Sequence, residues 1–170
     1  MGWPQISLRP TDVIPVASVL RISGAAVAAL LLFSPASISD ARAEPLEKQP
    51  LSFITASGKH KITVEVADSD QERSTGLMFR RTLGDEDGMI FLYPKNEPIS
   101  MWMKNTYISL DMIFVRSDGV IHRIEEGTEP FSEATINSDG DVRAVIEMKA
   151  GSAKRLGLKS GDKVDYPAFR

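Results

Sequence analysis

The 170-residue chain contains no cysteine. That absence removes disulfides, thiolate-bound zinc, iron–sulfur clusters and thiol nucleophiles together. There are only two histidines, His60 and His122, and no group of residues has metal-ligand spacing. A basic surplus is also missing: Lys+Arg number 20 against 23 Asp+Glu, a formal charge of −3. Nucleic-acid binders draw affinity from neutralising phosphates, so DNA or RNA is not an expected partner. The glycine patterns of dinucleotide and phosphate loops are absent, as is the Gly-x-Ser-x-Gly elbow of serine hydrolases. No apolar run approaches the roughly twenty residues needed to cross a bilayer.

What is present begins with an address. Arg9 and Arg21 precede an apolar run, Ile22–Phe33, and a small-residue stretch ends at Ala41-Arg42-Ala43. A positive start, a short apolar centre and an A-x-A site describe a secretory signal peptide. Residues 1–43 are therefore read as a signal peptide cleaved after Ala43, and the mature chain as periplasmic or secreted, with no stable membrane span. Without disulfides, the core alone must hold the fold of such an exported domain.

Residues 44–50 read as a linker and residues 51–170 as a single β-rich domain. Apolar alternation predicts a strand from Phe53, a turn at Ser57-Gly58 and a second strand through Ile62, Val64 and Val66. Ser69-Asp-Gln-Glu72 has the capping-box spacing and predicts a short helix ending at Gly76. Further strands are expected over Met89–Tyr93, Ile99–Lys104, Leu110–Arg116, Val120–Glu125, Val142–Met148 and Lys163–Tyr166. A second short helix is expected over Gly151–Leu156, and a long loop over 127–141. The fold class is mostly β: a compact jelly-roll-like β-sandwich or barrel of about eight short strands with two short helices.

Several blocks carry a family resemblance. They are Gly76-Leu-Met-Phe-Arg80, Gly88-Met-Ile-Phe91, Met101-Trp-Met-Lys-Asn-Thr106, Leu110-Asp-Met-Ile-Phe114, Val145-Ile-Glu147 and the glycine-rich tail from Ala150 to Val164. In this order they resemble domain of unknown function (DUF) family 192 over roughly residues 53–166. The resemblance implies a single, often exported, mostly-β prokaryotic domain, and no reaction. Where it implies a proline before the Leu-Asp pair, this chain has Ser109.

The leading candidate ligand site is Trp102, Lys104, Asn105, Thr106 and Asp111. Trp102 and Lys104 share one strand face, and Asp111 enters the next strand among apolar residues, where a carboxylate needs a partner. A Lys104–Asp111 pair beside an indole would suit a polar ligand, or would be a purely structural ion pair. Arg80, as an anion contact, and Glu125 and Glu147, as a possible carboxylate pair, are secondary candidates. Asn137–Asp141 imitates the start of a calcium loop but lacks its glycine and final glutamate, and reads as a polar turn.

Three functional classes fit these residues. The first is a non-catalytic binding or accessory module for a polar small molecule or an envelope protein. The second is an envelope hydrolase with Asp111 as base and Lys104 in support. The third is a copper-handling protein using Met101, Met103 and a histidine. Methionines on apolar faces more often fill core gaps, so no metal or other cofactor is expected.

Overall fold

The computed structural model describes residues 45–170; the signal-peptide reading lies outside the described residues. Seven strands form one curled sheet in the order β5-β4-β6-β3-β2-β1-β7. They are β1 (Lys48–Thr55), β2 (Gly58–Ala67), β3 (Asp87–Met101), β4 (Leu110–Val115), β5 (Ile121–Glu125), β6 (Ile136–Lys149) and β7 (Lys163–Asp165). An isolated bridge between Val120 and Lys163 brings the entry to β5 against β7, so the two ends of the sheet meet. The mostly-β fold with two short α-helices is as expected, nearer the barrel than the sandwich.

Both faces of the central strands are covered. Ile90, Ile113, Ile146, Phe53, Val64 and Val164 point into the curl and pack with Ala153 and Leu156 of helix α2 (Ser152–Leu156). The alternate residues Met89, Phe91, Met112, Phe114 and Val145 form a second core on the outer face, with Leu77 and Met103 over it. This is why Met89–Tyr93 reads as an unbroken apolar run: a strand buried on both faces needs no polar alternation.

The hairpins at Ser57-Gly58 and Asp118-Gly119 form as expected, joining β1 to β2 and β4 to β5. The parallel pairing of β2 with β3 needs a crossover. Helix α1 (Asp70–Thr75) supplies its first part. Ser69 Oγ accepts the Glu72 amide at 3.2 Å and Glu72 Oε2 accepts the Ser69 amide at 2.9 Å, completing the capping box. Gly76 then ends α1 with φ at +47°, and a Cβ there would lie 3.0 Å from the Phe91 ring. The helix end is thus seated on the outer core. Ser69→Ala should cost about 1 kcal/mol in urea unfolding by orphaning that first-turn amide; an unchanged midpoint would mean the cap does not hold α1.

Three boundaries differ from expectation. β1 begins at Lys48, inside the segment read as linker. The strands expected at Met89–Tyr93 and Ile99–Lys104 are one strand of 15 residues, β3, ending at Met101. Its register against β6 shifts between Leu92 and Glu97 and again between Pro98 and Ser100. Prolines 94 and 98 cannot donate to the ladder, so the strand bulges there rather than stopping. The same pairing draws β6 out to 14 residues and takes Asn137–Asp141 into it. That polar stretch is a bulged strand, with Asp139 at φ +56°, and not a turn.

Candidate functional site

The sheet register decides which acidic side chains share a surface. On β6, Glu147 stands directly opposite Met89 of β3 and Met112 of β4, so it faces the outer core. Asp111 stands opposite Met148, whose side chain belongs to the inner core. The two acids therefore point to opposite faces of the sheet.

Asp111 is fully buried and its carboxylate is spent on backbone. One oxygen accepts the Gly127 amide at 2.9 Å and the other the Ala153 amide at 2.8 Å. Ala153 lies in the first turn of α2, whose own N-cap, Gly151, has no side chain to offer. Asp111 caps that helix from the neighbouring strand and ties it to the start of the long loop. The Lys104–Asp111 pair is not formed: no ion pair among the described residues joins the two. Lys104 instead places its ammonium 5.4 Å from the centroid of the Trp102 ring.

Glu147 has a different setting. Its residue exposure is 4%, and its carboxyl has no hydrogen-bond partner among the described residues. It lies in the wall of a pocket of about 360 Å³ between α1, β3 and the turn after β3. Phe91, Tyr93, Met101 and Trp102 line the same space, with Thr106, Lys104 and Arg73. A Cβ on Gly88 would come within 2.8 Å of the Glu147 carbonyl oxygen, so only glycine lets β3 lie this close at that level. Burial alone pushes the Glu147 carboxyl up to about 8. Burial also pushes the Tyr93 hydroxyl up to about 12, against the opposing pull of Arg73. That hydroxyl donates to Met101 Sδ at 3.6 Å.

The pocket's cations differ in how far they are committed. Arg73 donates to the Leu92 carbonyl at 2.6 Å, to the Asp68 carbonyl and to Asp70, and lies 5.3 Å from the Tyr93 centroid. Lys104 has no carboxylate within salt-bridge distance among the described residues.

The turn at Met103–Thr106 organises the mouth. Asn105 adopts φ +55°, a conformation its short amide side chain tolerates. Its carbonyl accepts the Phe79 amide at 2.9 Å, and the Thr106 carbonyl accepts the Phe131 amide at 3.2 Å. Phe79 and Phe131 themselves take φ +64° and +63°, a conformation costing on the order of 1 kcal/mol or more for such residues. Both are largely exposed, at 64% and 54%, as is Trp102 at 51%. Tyr107 packs edge-on against Phe131 with centroids 4.9 Å apart. Strained, exposed aromatic residues thus surround the turn that carries Lys104.

Of the five leading candidates, Trp102, Lys104 and Thr106 line the pocket, Asn105 shapes its turn, and Asp111 serves the other face. Glu147 joins the first three. Glu125 stands opposite Met112 in the same cross-strand row, about 10 Å from Glu147 by two strand spacings. It does not line the pocket and is bonded to Arg123. Arg80 is engaged with Glu65, holding that carboxyl below its ordinary value. Met103 is buried and its sulfur accepts from Thr128 at 3.2 Å. His60 bonds at the β1–β2 turn and His122 at Asp139, so the copper set is not gathered. Arg73, Tyr93 and Phe131 escaped sequence reading. Arg73 reads as helix surface and Tyr93 as one more apolar strand residue, and only the crossover brings them together. Phe131 sits in a segment without periodicity.

Residues 52–166 match the family model of DUF192, an uncharacterised group described as "Uncharacterized ACR". The chain belongs to the DUF192 family. Two crystal structures resemble this DUF192 domain closely. One, from Sinorhizobium meliloti 1021 and provisionally described as a transcription regulator, is 44% identical with a TM-score of 0.71; the match covers 73% of this chain and 97% of that one. The other, a protein of unknown function from Novosphingobium aromaticivorans DSM 12444, is 40% identical with a TM-score of 0.71, covering 74% of this chain and 89% of that one. No protein of curated function matches.

Proposed function

We propose that this DUF192 domain is an exported binding module that takes a small polar ligand into the Glu147 pocket. The observation that carries the reading is the Glu147 carboxyl: buried, facing a cavity, and without a partner among the described residues. A carboxyl set in a largely buried pocket wall, with no protein group paired to it among the described residues, is free to pair with a ligand that enters the pocket. The half-exposed indole of Trp102 offers a stacking face at the same pocket.

Export rests on the signal-peptide pattern of residues 1–43. The mature protein should be recovered from the periplasm or medium beginning at Glu44; an uncleaved cytoplasmic chain would overturn it. A DNA-reading role, as in the description of the Sinorhizobium protein, has less support. Acids outnumber bases, and the two α-helices among the described residues, of 6 and 5 residues, are short for a groove-reading helix.

Trp3 and Trp102 are the only tryptophans. In a Trp3→Phe chain, emission therefore reports on the pocket alone. Titration with saccharides, amino acids and small amines should give saturable emission changes with at least one class. Trp102→Ala should weaken binding of that ligand about tenfold or more with the unfolding midpoint retained. No response to any class would overturn the binding reading. A hydrolase is the second reading: burial pushes the Glu147 carboxyl up to about 8, and a carboxyl that keeps its proton at neutral pH can act as a general acid. Turnover abolished by Glu147→Gln would establish it.

A further inference from the structure

The chemistry of the ligand can be narrowed from the pocket's walls, an inference that rests on the reading of the pocket as a ligand site. Glu147 offers two carboxyl oxygens with no donor among the described residues. The pocket is lined by rings and thioethers (Phe91, Tyr93, Trp102, Met78 and Met101) together with the charged Asp70, Arg73 and Lys104. Aromatic faces attract cations through their quadrupole, and desolvation strengthens the attraction. Two of these rings already sit beside protein cations, Arg73 at Tyr93 and Lys104 at Trp102. A carboxyl and ring faces in one pocket offer a cation both kinds of contact.

An anion would meet Lys104, but it would bring like charge to Glu147 once that carboxyl is ionised. A neutral hydroxyl compound can pair with the protonated carboxyl, but only through neutral hydrogen bonds. A cation with N–H donors pairs more strongly with the ionised carboxylate, because a charge-assisted hydrogen bond is about twice as strong as a neutral one. Arg73 does not fill this role, since its guanidinium is bound to Asp70 and to two backbone carbonyls.

We propose that the pocket binds a small organic ammonium ion, with the nitrogen seated against the Glu147 carboxylate and the carbon chain between Phe91, Tyr93 and Trp102. Binding then requires ionised Glu147. The charged and titratable groups that share the pocket are Tyr93 from β3, Arg73 and Asp70 from α1, and Lys104 from the turn after β3; Glu125 lies one strand beyond Met112. Because burial favours the protonated acid in the free protein, affinity for an ammonium ion should rise as pH climbs toward 8 and then level off.

The test compares n-pentylammonium with 1-pentanol and pentanoate, a set that varies only the charged end. Each is titrated into the Trp3→Phe full-length protein, read by Trp102 emission and by melting temperature. Pentylammonium should bind about tenfold or more tightly than pentanol, and pentanoate more weakly still. The preference should grow between pH 6 and pH 8.5 and vanish in Glu147→Gln, whose unfolding curve confirms that it is folded. Equal binding of pentanol, or unchanged pentylammonium binding by Glu147→Gln, would overturn the proposal. Response to saccharides alone would overturn it while leaving the pocket a binding site. No response to any probe would overturn both.

Discussion

Replacing Asp111 with alanine is expected to destabilise the domain by about 2–4 kcal/mol, measured by urea unfolding. The buried Ala153 N–H loses its side-chain acceptor, and so does the N–H of Gly127, an exposed residue. The buried orphan at Ala153 costs about 1–3 kcal/mol, and water replaces part of the bond lost at Gly127. The helix that loses its cap, α2, contributes Ala153 and Leu156 to the inner core, so the damage spreads inward. Asp111→Asn should cost less, because one carbonyl oxygen remains while the new amide faces an N–H donor. Lys104→Met is the control. An Asp111 anchored to backbone predicts a change within about 0.5 kcal/mol for that variant, as for most surface substitutions. Equal losses from both variants would restore the ion pair expected from sequence.

The second large effect concerns pH and has the opposite sign from ordinary acid denaturation. The Glu147 carboxyl is raised by burial from 4.5 to about 8 in the folded protein. Between those values the folded state holds a proton that the unfolded chain has released. Stability contributed by this group is therefore fully present below about pH 4.5 and lost as pH rises to about 8. The loss should be on the order of 1 kcal/mol per pH unit across that window, a few kcal/mol in all. Carboxyls lowered by their partners, such as Glu65 by Arg80, act the other way: their contribution is present above the ordinary carboxylate value and fades as the solution becomes more acid. Wild-type stability should then peak in mildly acid solution. Subtracting the curve of Glu147→Gln isolates the one group. A difference that stays flat from pH 5 to pH 8 would mean that Glu147 is hydrated or paired.

Much of the fold was legible because its signals are local. The capping box needs only Ser69 and Glu72, and both hairpins are announced by glycine at a turn. The boundaries that shifted depend on partners. Nothing between Tyr93 and Pro98 says that β6 will extend to pair with the segment beyond the bulge. The candidate site was half legible for the same reason. Trp102, Lys104 and Thr106 lie within one short block, and they do share a pocket. Asp111 looked like their neighbour because it comes soon after them in sequence, yet strand alternation turns it to the other face. Glu147 is far from Lys104 along the chain and reaches the pocket only through the β3–β6–β4 register. An acid flanked by Ile146 and Met148 was the visible sign of it. That Phe79 and Phe131 adopt left-handed conformations has no sign in the sequence.

The central claim is that a buried carboxyl is held unpaired in the wall of a ligand pocket. The most direct measurement is a titration of the Glu147 side-chain carboxyl by carbon NMR, in protein labelled at glutamate and assigned with Glu147→Gln. The account predicts a single resonance that titrates near pH 8 in the free protein. A midpoint in the ordinary range around 4.5 would contradict it, since a carboxyl that ionises so readily is already solvated or paired and leaves nothing for a ligand to complete.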